Sequence, residues 1–211
     1  MKNKIIFATL ISILAINALF VSAASASTNS GTFYVSAPKL ENVKVKYRDN
    51  QLVITGKAKG ISRVAAKYNK EIKTAEVKSG KFQLKLKYTK AKDIKLYGLN
   101  SRSEKITKNK TIHSEEFVTA APLCRAISRT KKGITYEIDT EAGSLLAVKY
   151  KGKIIKKVYV DSSFERVFIP AKDLKGKKGK LTFTQKNTNK RVSRKSSYSI
   201  IKVGEKQVLN Y

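Results

Sequence analysis

Few side chains in this 211-residue sequence could carry catalysis or bind a metal ion. His113 is the only histidine and Cys124 the only cysteine, so neither an ordinary zinc site nor a Ser-His or Cys-His pair with a second orienting imidazole can be assembled. His113 lies beside Glu115 and Glu116 in a predicted last strand and is expected on the surface, with a mild pH sensor as its alternative role. The sequence therefore predicts no enzyme, no cofactor and no metal site.

Cys124 has two interpretations, which the sequence leaves open. It follows Pro122 and Leu123 at the start of a predicted strand, where a small half-buried residue is expected. Alternatively it forms a disulfide with a second chain, since an odd cysteine in an exported protein can pair between chains. A disulfide-linked dimer through Cys124 is thus one predicted partner arrangement.

The carboxylates offer no pair suited to glycoside hydrolysis. Glu115 and Glu116 are expected on opposite faces of a strand, whereas Glu137, Asp139 and Glu141 share one face of another. A same-face triplet could bind Ca²⁺ weakly. On a solvent-facing strand of a lysine-rich chain, pairing with neighbouring lysines is favoured.

Lysine sets the chemistry of this chain. It carries 45 basic and 15 acidic residues, and only 8 of the basic residues are arginine. A lysine is a mobile point charge, whereas an arginine offers a planar bidentate fork. The composition therefore favours diffuse attraction to a polyanion over base-specific reading, and the alternative is a merely solvated lysine-rich surface.

Two lysine-rich clusters are the candidate polyanion-binding site. The first crowds the turn at Gly176 to Gly179, which lacks the spacing and the following helix of a phosphate-binding loop. The second follows closely, and Tyr198 could supply stacking there. The alternative is that both are solvated turns. The predicted binding residues are Lys172, Lys175, Lys177, Lys178, Lys180, Lys186, Lys190, Arg191, Arg194 and Lys195.

The N-terminal sequence places the chain outside the cytoplasm. Lys2 and Lys4 precede an apolar run of about 17 residues, and small residues end at Ala26, which predicts a cleaved signal peptide over 1–26. The alternative is an uncleaved anchor. No second long apolar stretch follows, so no transmembrane segment is expected after cleavage. The low cysteine content and the many Lys, Asn and Ile residues favour a secreted Gram-positive protein associated with the cell envelope.

The mature chain is predicted to be nearly all β. Apolar and polar residues alternate with period two along much of it, which is the pattern of strands with one buried face. In the run from Lys81 to Tyr88, for example, Phe82, Leu84 and Leu86 face one way and the lysines the other. Beyond residue 30 no segment shows a sustained helical period with caps.

An internal repeat divides this β-rich region in two. Ala65 to Phe82 aligns without gaps to Ala147 to Phe164. We therefore predict two domains, 37–118 and 119–211, after a disordered segment 27–36. The charge is shared between the halves: 21 basic and 8 acidic residues from Val35 to Val118, and 22 and 7 beyond.

The repeated motifs resemble those of tandem bacterial immunoglobulin-like (Big-type) domains of Gram-positive secreted and surface proteins. The second copy departs from the pattern where Ser162 replaces the glycine of the G-x-F strand. The resemblance implies two immunoglobulin-like β-sandwiches with a spacer or binding role at the cell surface and no catalysis. The segments that carry it are Val53 to Ala58, Val64 to Tyr68, Ser79 to Phe82 and Leu99 to Ser101, then Thr135 to Ile138, Leu146 to Tyr150, Ser162 to Phe164 and Lys186 to Thr188.

Charge and compartment together favour a non-enzymatic adhesion or binding module. Cleavage after Ala26 removes Lys2 and Lys4 and so lowers the net charge from +30 to +28. Outside the cell the expected partners are anionic cell-wall polymers, such as teichoic acid, or other extracellular polyanions. The alternative is a secreted cationic effector that acts on membranes, either bacteriocin-like or host-directed. An amphipathic helix would favour that alternative, and the sequence shows none after the signal.

Overall fold

A computed structural model describes residues 36–210. The predicted signal peptide and all but the last residue of segment 27–36 lie outside the described residues. Within them, the regular secondary structure is almost entirely antiparallel β-strand, and the helical elements are a four-residue α-helix, α1 (Ala171–Leu174), and a 3₁₀ turn (Ser114–Glu116). The all-β prediction is confirmed.

The first sandwich packs two sheets against each other. Their strand orders are β1-β2-β5 and β4-β3-β6-β7. The strands are β1 (Lys39–Arg48), β2 (Gln51–Lys59), β3 (Arg63–Tyr68), β4 (Glu71–Glu76), β5 (Lys81–Lys87), β6 (Ile94–Leu99) and β7 (Lys110–Ile112).

Local sequence explains why these strands form. In β5 the alternation predicted from sequence is present, because Phe82, Leu84 and Leu86 are buried and the intervening side chains are exposed. The β1–β2 hairpin turns at Asp49 and Asn50, which both have positive φ, a conformation that asparagine and aspartate tolerate better than most residues. The inward side chains of both sheets form one hydrophobic core.

The second sandwich has its own core. Its sheets have the orders β12-β9-β8-β15 and β11-β10-β13-β14. The strands are β8 (Leu123–Thr130), β9 (Gly133–Asp139), β10 (Ser144–Tyr150), β11 (Lys153–Val160), β12 (Phe164–Pro170), β13 (Lys180–Asn187), β14 (Ser196–Ser199) and β15 (Lys206–Val208).

The two sandwiches repeat one topology. The order β1-β2-β5 recurs as β8-β9-β12, and β4-β3-β6-β7 recurs as β11-β10-β13-β14. Core positions correspond too: Leu52 pairs with Leu86 in the first sandwich, and Ile134 pairs with Ile169 in the second. This is an immunoglobulin-like sandwich of two antiparallel sheets in which the fourth strand lies beside the third and not in the sheet of the first, second and fifth strands. The domain limits 37–118 and 119–211 stay a prediction, because residues 36–211 cluster as one compact unit.

Main-chain hydrogen bonds join the sandwiches. The Tyr47 N–H donates to the Asn189 carbonyl at 2.7 Å, and the Arg191 N–H donates to the Phe117 carbonyl at 2.8 Å. The Arg191 guanidinium lies 4.4 Å from the centre of the Tyr88 ring, within cation–π range. The β13–β14 loop of the second sandwich is thereby fixed to the end of the first.

Candidate functional site

The three carboxylates of the predicted triplet in the second sandwich each form an ion pair. The expected pairing with lysine holds for Glu141 alone, because the partners of Glu137 and Asp139 are arginines. No group of His, Cys, Asp and Glu within residues 36–210 is arranged to hold a metal ion. The pairs are Glu137 with Arg166 at 3.2 Å, Asp139 with Arg125 at 2.8 Å, and Glu141 with Lys190 at 2.8 Å.

Glu141 is the most connected of the three carboxylates. Its Oε1 accepts from the Asn187 amide at 2.8 Å, and its Oε2 accepts from the Ala120 N–H at 3.0 Å. Burial alone would raise the pKa of the Glu141 carboxyl, but the bonds from Lys190, Ala120 and Asn187 together hold it below its ordinary value. This carboxylate therefore ties the 119–121 connection to the β13–β14 loop.

His113 is on the surface, as expected, but not in a strand. It precedes the 3₁₀ turn that contains Glu115 and Glu116, so the prediction that these glutamates lie on opposite faces of a strand is wrong. The His113 N–H donates to the Glu116 carboxylate at 2.9 Å, and its Nδ1 lies 3.1 Å from the Asp93 carboxylate. The Glu116 N–H donates in return to the His113 carbonyl. These two reciprocal hydrogen bonds stabilise a turn at a place where the sequence pattern predicted a strand.

Cys124 is fully buried in the second core. Burial raises the pKa of its thiol to about 11. A disulfide to a second chain would require the thiol to leave the core, so the structure argues against the predicted dimer through Cys124. Cys124 lies in a strand, β8, as the other interpretation predicted, but its side chain is fully buried and not half-buried.

The first lysine cluster surrounds an aromatic ring that the sequence analysis did not single out. Tyr150 ends β10, and the ammonium groups of Lys151 and Lys177 each lie 5.6 Å from the centre of its ring. The Lys178 N–H donates to the Tyr150 hydroxyl at 3.4 Å. The sequence signal for this contact was a tyrosine in a lysine-rich turn, Tyr150-Lys151-Gly152-Lys153. That this turn lies beside the Lys175 to Lys180 loop is shown only by the structure.

Tyr198, which was expected to offer stacking, is buried instead. Its hydroxyl donates to the Pro122 carbonyl and accepts from the Cys124 N–H, each at 3.0 Å. Because its ring packs against Phe183 inside the core, Tyr198 cannot stack on a ligand. That expectation is wrong.

The structure does not bring the two predicted clusters together. Lys180 and Lys186 stand at opposite ends of β13, about 20 Å apart at the rise of an antiparallel strand. Within the second cluster, Lys190 is paired with Glu141 and Arg191 is stacked on Tyr88. Those two side chains are engaged in contacts within the protein, Lys190 with Glu141 and Arg191 across to the first sandwich. The remaining predicted cations are exposed or, for Lys177, half-buried.

A larger basic surface lies on the first sandwich, and we call it the cationic face. It is the outer side of the β1-β2-β5 sheet, where nine exposed cations meet a single carboxylate, Glu41. The lysines of β1 and β5 flank a neutral row on β2 formed by Gln51, Val53 and Thr55. The nine cations are Lys39, Lys44, Lys46, Arg48, Lys57, Lys59, Lys81, Lys85 and Lys87.

Glu41 neutralises only one end of the cationic face. Its carboxylate lies 3.2 Å from the Lys39 ammonium and 3.8 Å from that of Lys59. The hydrogen bond from Lys39, followed by the charge of Lys59, lowers the pKa of the Glu41 carboxyl. In the part of the chain that the structure describes, the Lys44, Lys46, Lys57, Lys81, Lys85 and Lys87 ammoniums form no ion pair.

The matching sheet of the second sandwich has a different outer surface. On β8, β9 and β12 its outward cations are Arg125 and Arg166, and each is paired with a carboxylate. The edge strand β15 adds one exposed outward lysine, Lys206. Phe164 and Phe168 lie on the same side and are 38% and 40% exposed. The charge that is even between the two halves of the sequence is therefore uneven between equivalent faces.

Two grooves run along the cationic face. The first, of about 750 Å³, is lined by Lys44, Lys57 and Lys81 among others. The second, of about 620 Å³, lies where the face meets the second sandwich. Gln83 lines both grooves, so they adjoin on the sheet surface.

Fold and surface together define an all-β protein of immunoglobulin-like sandwiches with one cationic sheet face. No family model and no curated protein matches the chain. Among solved structures, it is similar to a chain described as a biofilm-associated protein, BSP domain, with 17% identity, a TM-score of 0.29, and coverage of 77% of this chain and 29% of that one.

A second solved structure comes from work on host cell surface retention of a 1.5-MDa bacterial ice-binding adhesin. It has 14% identity and a TM-score of 0.30, and the match covers 78% of this chain and 64% of that one. The chain thus spans less than two thirds of either matched chain. At these TM-scores neither likeness carries an argument about function.

The helices within residues 36–210 are too short to cross a membrane.

Proposed function

We propose that this chain is a non-enzymatic, secreted protein of the cell envelope that binds anionic polymers, such as teichoic acid, through its cationic face. One observation supports the proposal above all: nine exposed cations share one sheet surface with one carboxylate. On the three equivalent strands of the second sandwich, the outward cations are two arginines, and both are neutralised by ion pairs.

The arrangement on the cationic face costs stability in the free protein. Lys57 lies directly opposite Lys81, and like charges in such positions destabilise a sheet. Lys39 and Lys59 also lie opposite each other, but Glu41 is ion-paired with both. A bound polyanion removes this repulsion and releases its condensed counterions. The surface therefore gains stability when it is covered by a polyanion.

The residue type indicates the kind of polymer. Eight of the nine cations are lysines, whose ammonium groups act as mobile point charges without bidentate geometry. Such a surface is suited to attract the repeated charges of a flexible polymer and not to recognise a base sequence. A repetitive anionic wall polymer meets this requirement.

Retention on isolated cell walls across a salt series tests the proposal. We expect retention to fall steeply with salt and to be lost when anionic polymers are stripped from the wall. Replacing Lys46, Lys57, Lys81 and Lys85 with glutamine should make the plot of log binding constant against log salt concentration less steep. The magnitude of its negative slope should fall by about 3, at ~0.7 per lost contact.

A matched variant controls for net charge. Replacing four exposed lysines of the second sandwich with glutamine makes the same charge change away from the cationic face, and its salt slope should stay near that of the wild type. Equal losses in both variants, or retention unaffected by stripping, would overturn the proposal. Leakage from anionic liposomes without wall binding would instead favour a membrane effector. The control residues are Lys131, Lys132, Lys202 and Lys206.

A further inference from the structure

The groove at the end of the cationic face is lined by basic residues from both sandwiches. Lys46, Arg48 and Lys85 come from the first sandwich, and Lys186 and Lys190 from the second. Asp49 also lines the groove and is paired with Arg48 at 3.2 Å. We call it the junction groove. Its cations are brought together only in the folded chain, since about 100 residues separate Lys85 from Lys186 in sequence.

The hydrogen bonds between the sandwiches fix the geometry of this groove. The Tyr47 N–H, on the strand that carries Lys46 and Arg48, donates to the Asn189 carbonyl at 2.7 Å. Asn189 lies just beyond Lys186 along the chain. The position of Lys186 relative to the cationic face is thus set by backbone contacts and needs no ligand to form it.

Lys186 is the cation of the second sandwich that is free to bind. Lys190 is held by Glu141 at 2.8 Å, and its side chain is only 23% exposed. Lys186 is exposed, and none of the ion pairs within residues 36–210 includes it. A ligand in the groove therefore meets one unpaired ammonium from the second sandwich.

The junction groove continues a track along β2. The larger groove, lined by Lys57 and Lys81, adjoins it at Gln83. From Lys57 to Gln51 the strand spans about 20 Å, with cations on the flanking strands about 10 Å apart. This shape suits an extended chain lying along β2 better than a single small anion.

We propose that one strand of a linear polyanion lies along the cationic face and continues through the junction groove, where Lys186 of the second sandwich binds it. This inference rests on the proposed function and adds that both sandwiches grip the same polymer strand. The fixed junction between them then serves as part of the binding site.

A single substitution with a matched control tests the inference. Lys186→Gln removes the proposed contact, whereas Lys131→Gln removes an exposed charge in the turn between β8 and β9, which belongs to no predicted or proposed binding surface. The probe is linear polyphosphate in two lengths, one shorter than the track of about 20 Å and one several times longer. Urea unfolding of both variants checks that neither change disturbs the fold.

With the long chain, we expect Lys186→Gln to weaken binding about two- to five-fold at low salt and to lower the salt slope by about 1. Lys131→Gln should change neither. The loss from Lys186→Gln should be smaller with the short chain, which can lie on the cationic face alone. If long chains bind but the two variants behave alike, this inference is wrong while the proposed function stands. If neither chain binds the wild type, the proposed function fails as well.

Discussion

Replacing Glu141 with glutamine should destabilise the second sandwich more than any other single loss of a carboxylate charge in its ion pairs. Glu141 accepts three hydrogen bonds, from Lys190, Asn187 and Ala120. The glutamine amide would turn an NH₂ group toward one of these donors and leave Lys190 without its counter-charge. The side chains of Glu141 and Lys190 are only 20% and 23% exposed, so water replaces the lost contacts poorly.

The expected loss is about 2–3 kcal/mol, within the range for removing a partner of hydrogen bonds to charged groups. For a folded unit of this size that corresponds to a fall in Tm of about 4–10 °C. Urea unfolding and calorimetry measure both quantities. Glu137→Gln is the matched control, because its pair with Arg166 is more exposed, with side-chain exposures of 35% and 71%, and should cost less than about 1 kcal/mol.

The pH dependence gives a second measurement of the same carboxylate. Since the folded-state pKa of Glu141 is lowered, its contribution is present above the unfolded pKa and is lost as the pH falls through the folded value. The stability gap between wild type and Glu141→Gln should therefore be full at pH 7 and shrink below about pH 4. A gap that is constant down to pH 2, or equal losses from Glu141→Gln and Glu137→Gln, would refute the reasoning.

Three further predictions concern the second core. The Cys124 thiol, fully buried and with its pKa raised to about 11, should react with maleimide at pH 8 only in denaturant, as mass spectrometry would show. Gly133→Ala should lower the free energy of unfolding by about 1–3 kcal/mol, because the new Cβ would lie 2.4 Å from the Ile169 carbonyl oxygen. Tyr136→Phe should cost about 1–2 kcal/mol in urea unfolding, since its buried hydroxyl donates to the Ser199 carbonyl at 2.9 Å.

The strands could be predicted from sequence because the alternation of apolar and polar residues that marks a strand lies within a few consecutive residues. In β5, the alternation of Phe82, Leu84 and Leu86 with polar residues reveals a buried face within a single strand. The internal repeat likewise predicted equivalent core positions at Ala66 and Val148, which are both fully buried, but not at its last position, where Phe82 is buried and Phe164 is 38% exposed. Where local signs conflict, as at His113 to Glu116, short-range hydrogen bonds favoured a turn over the predicted strand.

The candidate site was not predictable in the same way, because it depends on which strands lie side by side. Lys57 faces Lys81 from a strand that is distant in sequence, and no local window contains both. The dense loop lysines were conspicuous in sequence, yet Lys190 is drawn into an ion pair and Arg191 into a stack on Tyr88. The density of charge along the sequence thus did not indicate which surface of the fold carries the unpaired cations.

The comparison between the repeats adds an argument about how the charge is used. Both sandwiches contain similar excesses of basic residues, but on matching strands the first presents unpaired lysines and the second presents arginines paired with Glu137 and Asp139. If lysine served only to solvate strands, equivalent faces would be charged alike. The second sandwich instead carries much of its excess of basic residues around the two ends of β13. Lys186, near one of these ends, lines the junction groove. Because a solvated surface does not require this difference, the asymmetry favours a binding role for the cationic face.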